Sequence, residues 1–148
     1  MRLFRFLAPT FSALLLLAQS TEEKDVLAAA QRIFDGMAAH DAAMIRSVLL
    51  PDARLYSARG DSAPVAIPAE DFATRIAAVQ GAVQERFTGA PTVSIRGRIA
   101  HVWGEYEFLR DGKFNHCGVD SFSLLKTAEG WKVAAISDTS ETVGCKGH

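Results

Sequence analysis

A histidine and a carboxylate that meet in an apolar hollow can take and return a proton near neutral pH. The stretch from His101 to Phe122 offers such a set, because Asp111-Gly112 is a strong two-residue hairpin signal. A tight turn there pairs Arg110 with Lys113. Counting outward puts Glu107 opposite His116, Trp103 opposite Asp120 and His101 opposite Phe122. Facing side chains of an antiparallel pair lie about 5 Å apart, within contact. If Ala128 pairs with Trp131 across the next turn, Phe122 and Leu124 share that face with Trp131, Val133, Ala135 and Ser137. The expected catalytic pair is His116 and Asp120, and Tyr56, Trp103, Glu107, Phe122 and Trp131 are expected to line a ligand pocket. A blander reading stays open: a Glu–His cross-strand pair on a solvated or subunit-contact face. The opposite face, with Val93, Ile95, Ala100, Val102, Tyr106, Phe108, Val119 and Leu125, is also apolar. One bulge would exchange the two faces over part of a strand.

The elements that must position these residues divide into a helical front and a strand-rich back. Val26, Leu27, Ala30, Ile33, Phe34 and Met37 recur at helical spacing, so the span 22–39 reads as one amphipathic helix. Asp41 can cap a second, shorter helix with Met44, Ile45, Val48 and Leu49 inward, ended by Pro51. A short strand follows at 53–58, then a loop at 59–66 rich in Gly, Asp, Ser and Pro. Pro68 opens a third helix carrying Phe72, Ile76 and Val79. Beyond Gly89, residues 92–96, 99–110, 113–127 and 131–142 are rich in β-branched and aromatic types and joined by tight turns. The fold class is α+β: three helices covering one face of a curved antiparallel sheet that ends in a four-strand meander.

The first twenty residues carry a processing pattern. Arg2 and Arg5 precede an apolar run from Phe6 to Ala18, and Ala18-Gln19-Ser20 supplies small residues before a cut at Ser20/Thr21. The run falls short of the about 20 residues that span a bilayer. Residues 1–20 therefore read as a signal peptide and 21–148 as one domain, periplasmic or secreted; an uncleaved anchor is the alternative. The net charge is −1 without a Lys/Arg block, so nucleic acid and anionic membranes are poor partners. Cys117 and Cys145 are a disulfide candidate in an exported chain. A regular ladder, however, brings Thr142 rather than Cys145 across from Cys117, so two buried thiols remain the alternative. His101, His116 and His148 make no ligand run, and no Gly-rich phosphate loop occurs, so neither metal nor cofactor is expected.

Two local stretches resemble the nuclear transport factor 2-like superfamily. One runs from Met37-Ala-Ala-His-Asp41 through Leu49-Leu-Pro-Asp-Ala-Arg-Leu-Tyr56; the other is Phe122-Ser-Leu-Leu-Lys126 followed by Glu129-Gly-Trp-Lys-Val133. His116-Cys-Gly-Val-Asp120 and Gly144-Cys145 look most like exported members of its polyketide cyclase-like and "putative lumazine-binding" groups. The resemblance implies a cone-shaped shell around an apolar pocket. It leaves three functions open: binding of a small, largely apolar molecule, cofactor-independent acid/base catalysis, or a homodimeric interaction module. In the steroid isomerase branch the general base aligns with Ser57 and the oxyanion-hole Tyr with Ile33; neither residue here can play its part. The dehydratase branch uses His, Asp and Tyr, types that His116, Asp120 and Tyr56 supply.

Overall fold

The apolar stripe on the first helix and the long strands at the back find each other across one core. The computed structural model describes residues 11–145, with side chains from Thr21 onward. Helix α1 spans Phe11–Ala38, α2 Ala42–Arg46 and α3 Ala69–Ala78. The strands are β1 Leu49–Ala58, β2 Val65–Pro68, β3 Val83–Phe87, β4 Thr92–Arg96, β5 Ile99–Arg110, β6 Lys113–Thr127 and β7 Gly130–Thr139. Residues 1–10 of the expected signal peptide lie outside the described residues, and the backbone of 11–20 continues α1. Among the described residues, no helix is long and apolar enough to cross a membrane.

The seven strands form one sheet in the order β2-β1-β7-β6-β5-β3, with β4 beside the other half of β5. The four-strand meander is present, but the sheet is mixed, because β1 runs parallel to β7. Two strands were not read from the sequence, β2 from the end of the expected loop to Pro68, where the third helix was expected to open, and β3 after that helix. The second helix is also shorter than expected. It stops at Arg46, and Leu49 already pairs with Val133; Pro51 falls where the β1–β7 register shifts, the place a strand tolerates proline.

Val26, Ala30, Ile33, Phe34 and Met37 of α1 are buried against Val102, Phe122, Leu124, Val133 and Ile136 of the sheet. Phe34, Phe87 and Phe122 meet edge to face, with centroids 5.0 to 6.3 Å apart. At the turn between α1 and α2, the Asp41 carboxylate accepts the Met44 amide at 2.9 Å. Asp41→Ala is expected to cost about 1 kcal/mol, the usual worth of such a cap. Urea unfolding of the variant checks it; an unchanged midpoint would mean that packing alone sets the turn.

Hairpin β5–β6 carries the main correction. Arg110 does pair with Lys113 across Asp111-Gly112, both at positive φ as this turn requires. The register then slips: Leu109 faces Phe114, but Phe108 faces His116, so Asn115 is an extra, bulged residue. Consequently Glu107 faces Cys117, Trp103 faces Ser121, and His101 faces Ser123. A second slip, at Ala134, gives Phe122 opposite Ile136 and Asp120 opposite Asp138. Thr127 pairs with Gly130, not Ala128 with Trp131. Because facing residues share a face, Tyr106, Phe108, His116, Asp120 and Phe122 look inward towards the helices. His101, Trp103, Glu105 and Glu107 look outward.

Candidate functional site

A cavity of about 450 Å³ lies between the inner face of the sheet and helices α1 and α3. Ile33, Met37, Leu55, Phe72, Ile76, Phe122 and Ile136 give it an apolar wall. One end is polar, and the register explains why. Across the sheet, Ser57, Asp138 and Asp120 fall in one row on β1, β7 and β6, while Glu85, Phe108 and His116 fall in another on β3, β5 and β6. Gly104 continues the first row on β5, and Tyr106 and Gly118 stand between the two rows on β5 and β6. A Cβ at Gly118 would lie 2.1 Å from the Thr139 carbonyl oxygen, so glycine alone lets β7 close over this spot. Tyr106 donates its hydroxyl to that same carbonyl at 2.7 Å.

Asp120 is the most deeply set polar group, 2 % exposed, and among the described residues its Oδ2 has no hydrogen-bond partner. Burial, reinforced by Asp138, pushes its pKa up to about 8; a hydrogen bond with Glu85 pulls the other way. Glu85 is raised as well, by burial first and then by the charges of Asp120 and Asp138. Asp138 is raised by burial, opposed by its hydrogen bond from the Ser57 hydroxyl and by Arg59 and His116. Three carboxyls this close cannot all ionise, so protons stay on the cluster at neutral pH. His116 stacks on Phe108 at 4.8 Å and bonds Asn115 at 2.8 Å; burial and Arg59 lower its pKa, which keeps it neutral. Tyr106 is pushed up by burial and stays a neutral donor. The arrangement can hold a proton on a buried acid and offer it to a bound molecule. Among the described residues, no three His, Cys, Asp or Glu side chains are arranged to hold a metal ion.

Of the residues expected from sequence, His116, Asp120 and Phe122 line the cavity together. Within it, His116 acts electrostatically on Asp138, Asp138 on Asp120, and Asp120 on Glu85. Tyr56, Trp103, Glu107 and Trp131 do not line it. Tyr56 alternates with Leu55 and Ser57, which do, and it is exposed. The Asn115 bulge turns Trp103 and Glu107 outward, where Trp103 is half exposed and Glu107 bonds Arg86 at 2.6 Å. Trp131 is buried in the hydrophobic core beneath Lys126. His101, also outward, bonds Ser121 at 2.9 Å. The sequence does not single out Glu85, Ser57 or Asp138 as site groups, and Tyr106, expected on the opposite face, lines the cavity with them. The signal for Asp138 was present, since it lies two residues beyond Ile136, on the same face as a core residue.

Cys117 and Cys145 are bridged, with Cα atoms 5.9 Å apart. Glu141, not Thr142, bonds across to Cys117, and the chain reverses at Gly144 (φ +79°) to close the remaining gap.

Comparison with solved structures gives the same architecture. A nuclear transport factor 2-like superfamily protein from Salmonella enterica superposes with a TM-score of 0.70 at 15 % identity, covering 88 % of this chain and 98 % of its own. A protein with a cystatin-like fold from Novosphingobium aromaticivorans gives 0.71 at 14 % identity, covering 95 % of each chain. A protein described as a putative dehydratase from Streptomyces avermitilis gives 0.68 at 18 % identity, covering 84 % and 99 %. At these identities the likeness is one of fold. No curated protein matches the sequence. The family described as "Putative lumazine-binding" matches residues 21–137, nearly the whole of the helices and sheet that build the cavity. The chain belongs to that family, and its fold is the one these nuclear transport factor 2-like structures share.

Proposed function

We propose that this is an exported pocket protein that binds a small, largely apolar molecule in the cavity above the sheet. One observation carries the reading: a cavity of about 450 Å³, in the usual range for small-molecule sites, has an apolar wall and convergent polar groups at one end. Export is supported by the Cys117–Cys145 bridge, since disulfides persist in oxidising compartments. The test is a thermal-stability screen of residues 21–148 against small apolar compounds, with lumazine, named in the family description, among them. A ligand at a hundred times its Kd stabilises by about 2.7 kcal/mol. Leu55→Trp, which fills the cavity from the β1 side, is expected to abolish that stabilisation while the variant still folds. Stabilisation that survives in Leu55→Trp would move the site elsewhere.

A second reading is favoured by Asp120. A buried acid that keeps its proton near neutral pH, facing the Ser57–Asp138 pair across one row, suits cofactor-independent acid/base catalysis. In that case Asp120 is the acid and Asp138 the base. Turnover of any identified ligand, lost in both Asp120→Asn and Asp138→Asn, would establish it; binding without turnover would leave the pocket reading alone.

A further inference from the structure

The cavity is polar at two places, and the two differ in kind. Its deep end is the carboxyl cluster just described. Its rim carries two cations: Arg59, in the turn after β1, and Arg75, in the last turn of α3, both exposed and both lining the cavity. Most other arginines are engaged. Arg46 bonds Glu70, Arg86 bonds Glu107, Arg98 bonds the Lys126 carbonyl and Arg32 bonds Ser47. Neither Arg59 nor Arg75 makes a hydrogen bond or ion pair among the described residues. Val65, 60 % exposed, completes the same rim and gives it an apolar edge.

From this polarity we infer that the molecule is an organic acid, with its anionic group at Arg59 and Arg75, an apolar body against Ile33, Phe72 and Ile136, and a neutral hydroxyl or carbonyl facing Asp120. The inference rests on the pocket reading and names the ligand class for that site. Three features point to it together. Guanidinium groups form the stronger class of hydrogen bond to carboxylates and phosphates, and these two, although Arg59 acts at longer range on Asp138, offer that bond without breaking another. The middle of the cavity is apolar, so it holds hydrocarbon rather than charge. The deep end disfavours an anion, because it is buried and already crowds three carboxyls whose charges repel, yet Oδ2 of Asp120 has no partner among the described residues and faces a neutral hydrogen-bonding group. The ligand is therefore oriented as well as selected, with its charged end outward.

Para-hydroxycinnamate and its methyl ester make the test, since the ester replaces the negative charge at one end by a neutral methyl-capped group and leaves the rest unchanged. Isothermal titration against the exported protein is expected to show the acid binding about tenfold tighter than the ester, the worth of a charge-assisted hydrogen bond in partly solvated surroundings. Added salt should weaken the acid and leave the ester unchanged. Arg59→Gln with Arg75→Gln should bring the acid down to the ester, while Arg96→Gln, an exposed arginine on β4, changes neither. Equal affinity of acid and ester, or a preference that persists in the double variant, overturns this inference and leaves the pocket reading standing. Binding of neither probe at millimolar concentration overturns both.

Discussion

Asp120→Asn should unfold at a higher denaturant concentration than the parent at pH 8, although it removes a buried side chain's charge-bearing group. An aspartate titrates near 4 in the unfolded chain, and Asp120 is held up to about 8 in the fold by burial and by Asp138. Between those two values the native chain keeps a proton that the unfolded chain has released. Stability then falls as pH rises, by up to about 1.4 kcal/mol per pH unit for a single group. The contribution is fully present below about pH 4 and lost once the pH passes about 8. Asn keeps the shape, carries no proton to lose, and relieves the repulsion felt by Glu85 and Asp138. A gain on the order of 2 kcal/mol at pH 8 is expected, well short of the single-group limit because the neighbouring carboxyls share the titration. At pH 4 the gain should vanish. Urea unfolding of both proteins at the two pH values decides it. If Asp120→Asn is the less stable at pH 8, Asp120 is ionised and satisfied in the fold, and the acid role proposed for it fails. A gain would mark Asp120 as a residue kept at the expense of stability, the usual signature of a site.

How far the site could be read from sequence turned on two residues with no distinguishing chemistry. The Asp111-Gly112 turn fixed the first pair of the hairpin correctly, Arg110 with Lys113. Asn115 then displaced every later pair by one, which is enough to send Glu107 and Trp103 to the outer face, because the side-chain period is two. Nothing in Phe114-Asn115-His116 announces a bulge. The alternation along β5 nevertheless held the answer: His101, Trp103, Glu105 and Glu107 alternate with Ala100, Val102, Tyr106 and Phe108, so the more polar set belonged outside. His116, Asp120 and Phe122 kept their inward face because they lie on β6, beyond the bulge, where they share one parity. Glu85 was out of reach for a different reason. Strand β3, Val83-Gln-Glu-Arg-Phe87, has little apolar pattern of its own and is a strand because β5 offers it an edge. The helices, whose stripes are local, were legible almost throughout. The carboxyl cluster was not, since its three members come from β3, β6 and β7 and meet only once both slips in register are known.

Removing the disulfide, as Cys117→Ser with Cys145→Ser, is expected to lower stability by about 3 kcal/mol. The bridge joins residues 28 apart, and in the chain-entropy model closing a loop of that length in the unfolded state is worth roughly that much. The tail beyond β7 has other anchors, which decide how the loss will show. Cys117 and Glu141 exchange two backbone hydrogen bonds of 2.9 and 2.8 Å, the Thr139 hydroxyl accepts the Val119 amide at 3.0 Å, and Tyr106 holds the Thr139 carbonyl. These bonds fix 139–141 over Gly118, so the ladder up to Asp138 should survive in the variant and the cavity with it. The last turn, around Gly144, has little besides the bridge; Val143 is 80 % exposed. The expected pattern is therefore a lower urea midpoint with unchanged ligand binding at low temperature. Reducing agent should lower the parent's midpoint to that of the variant and leave the variant unmoved, which separates the bridge from any effect of the serines. If the parent's midpoint does not move on reduction, the entropy of the closed loop is not what holds the tail, and packing of Cys145 against Glu141 must be doing so.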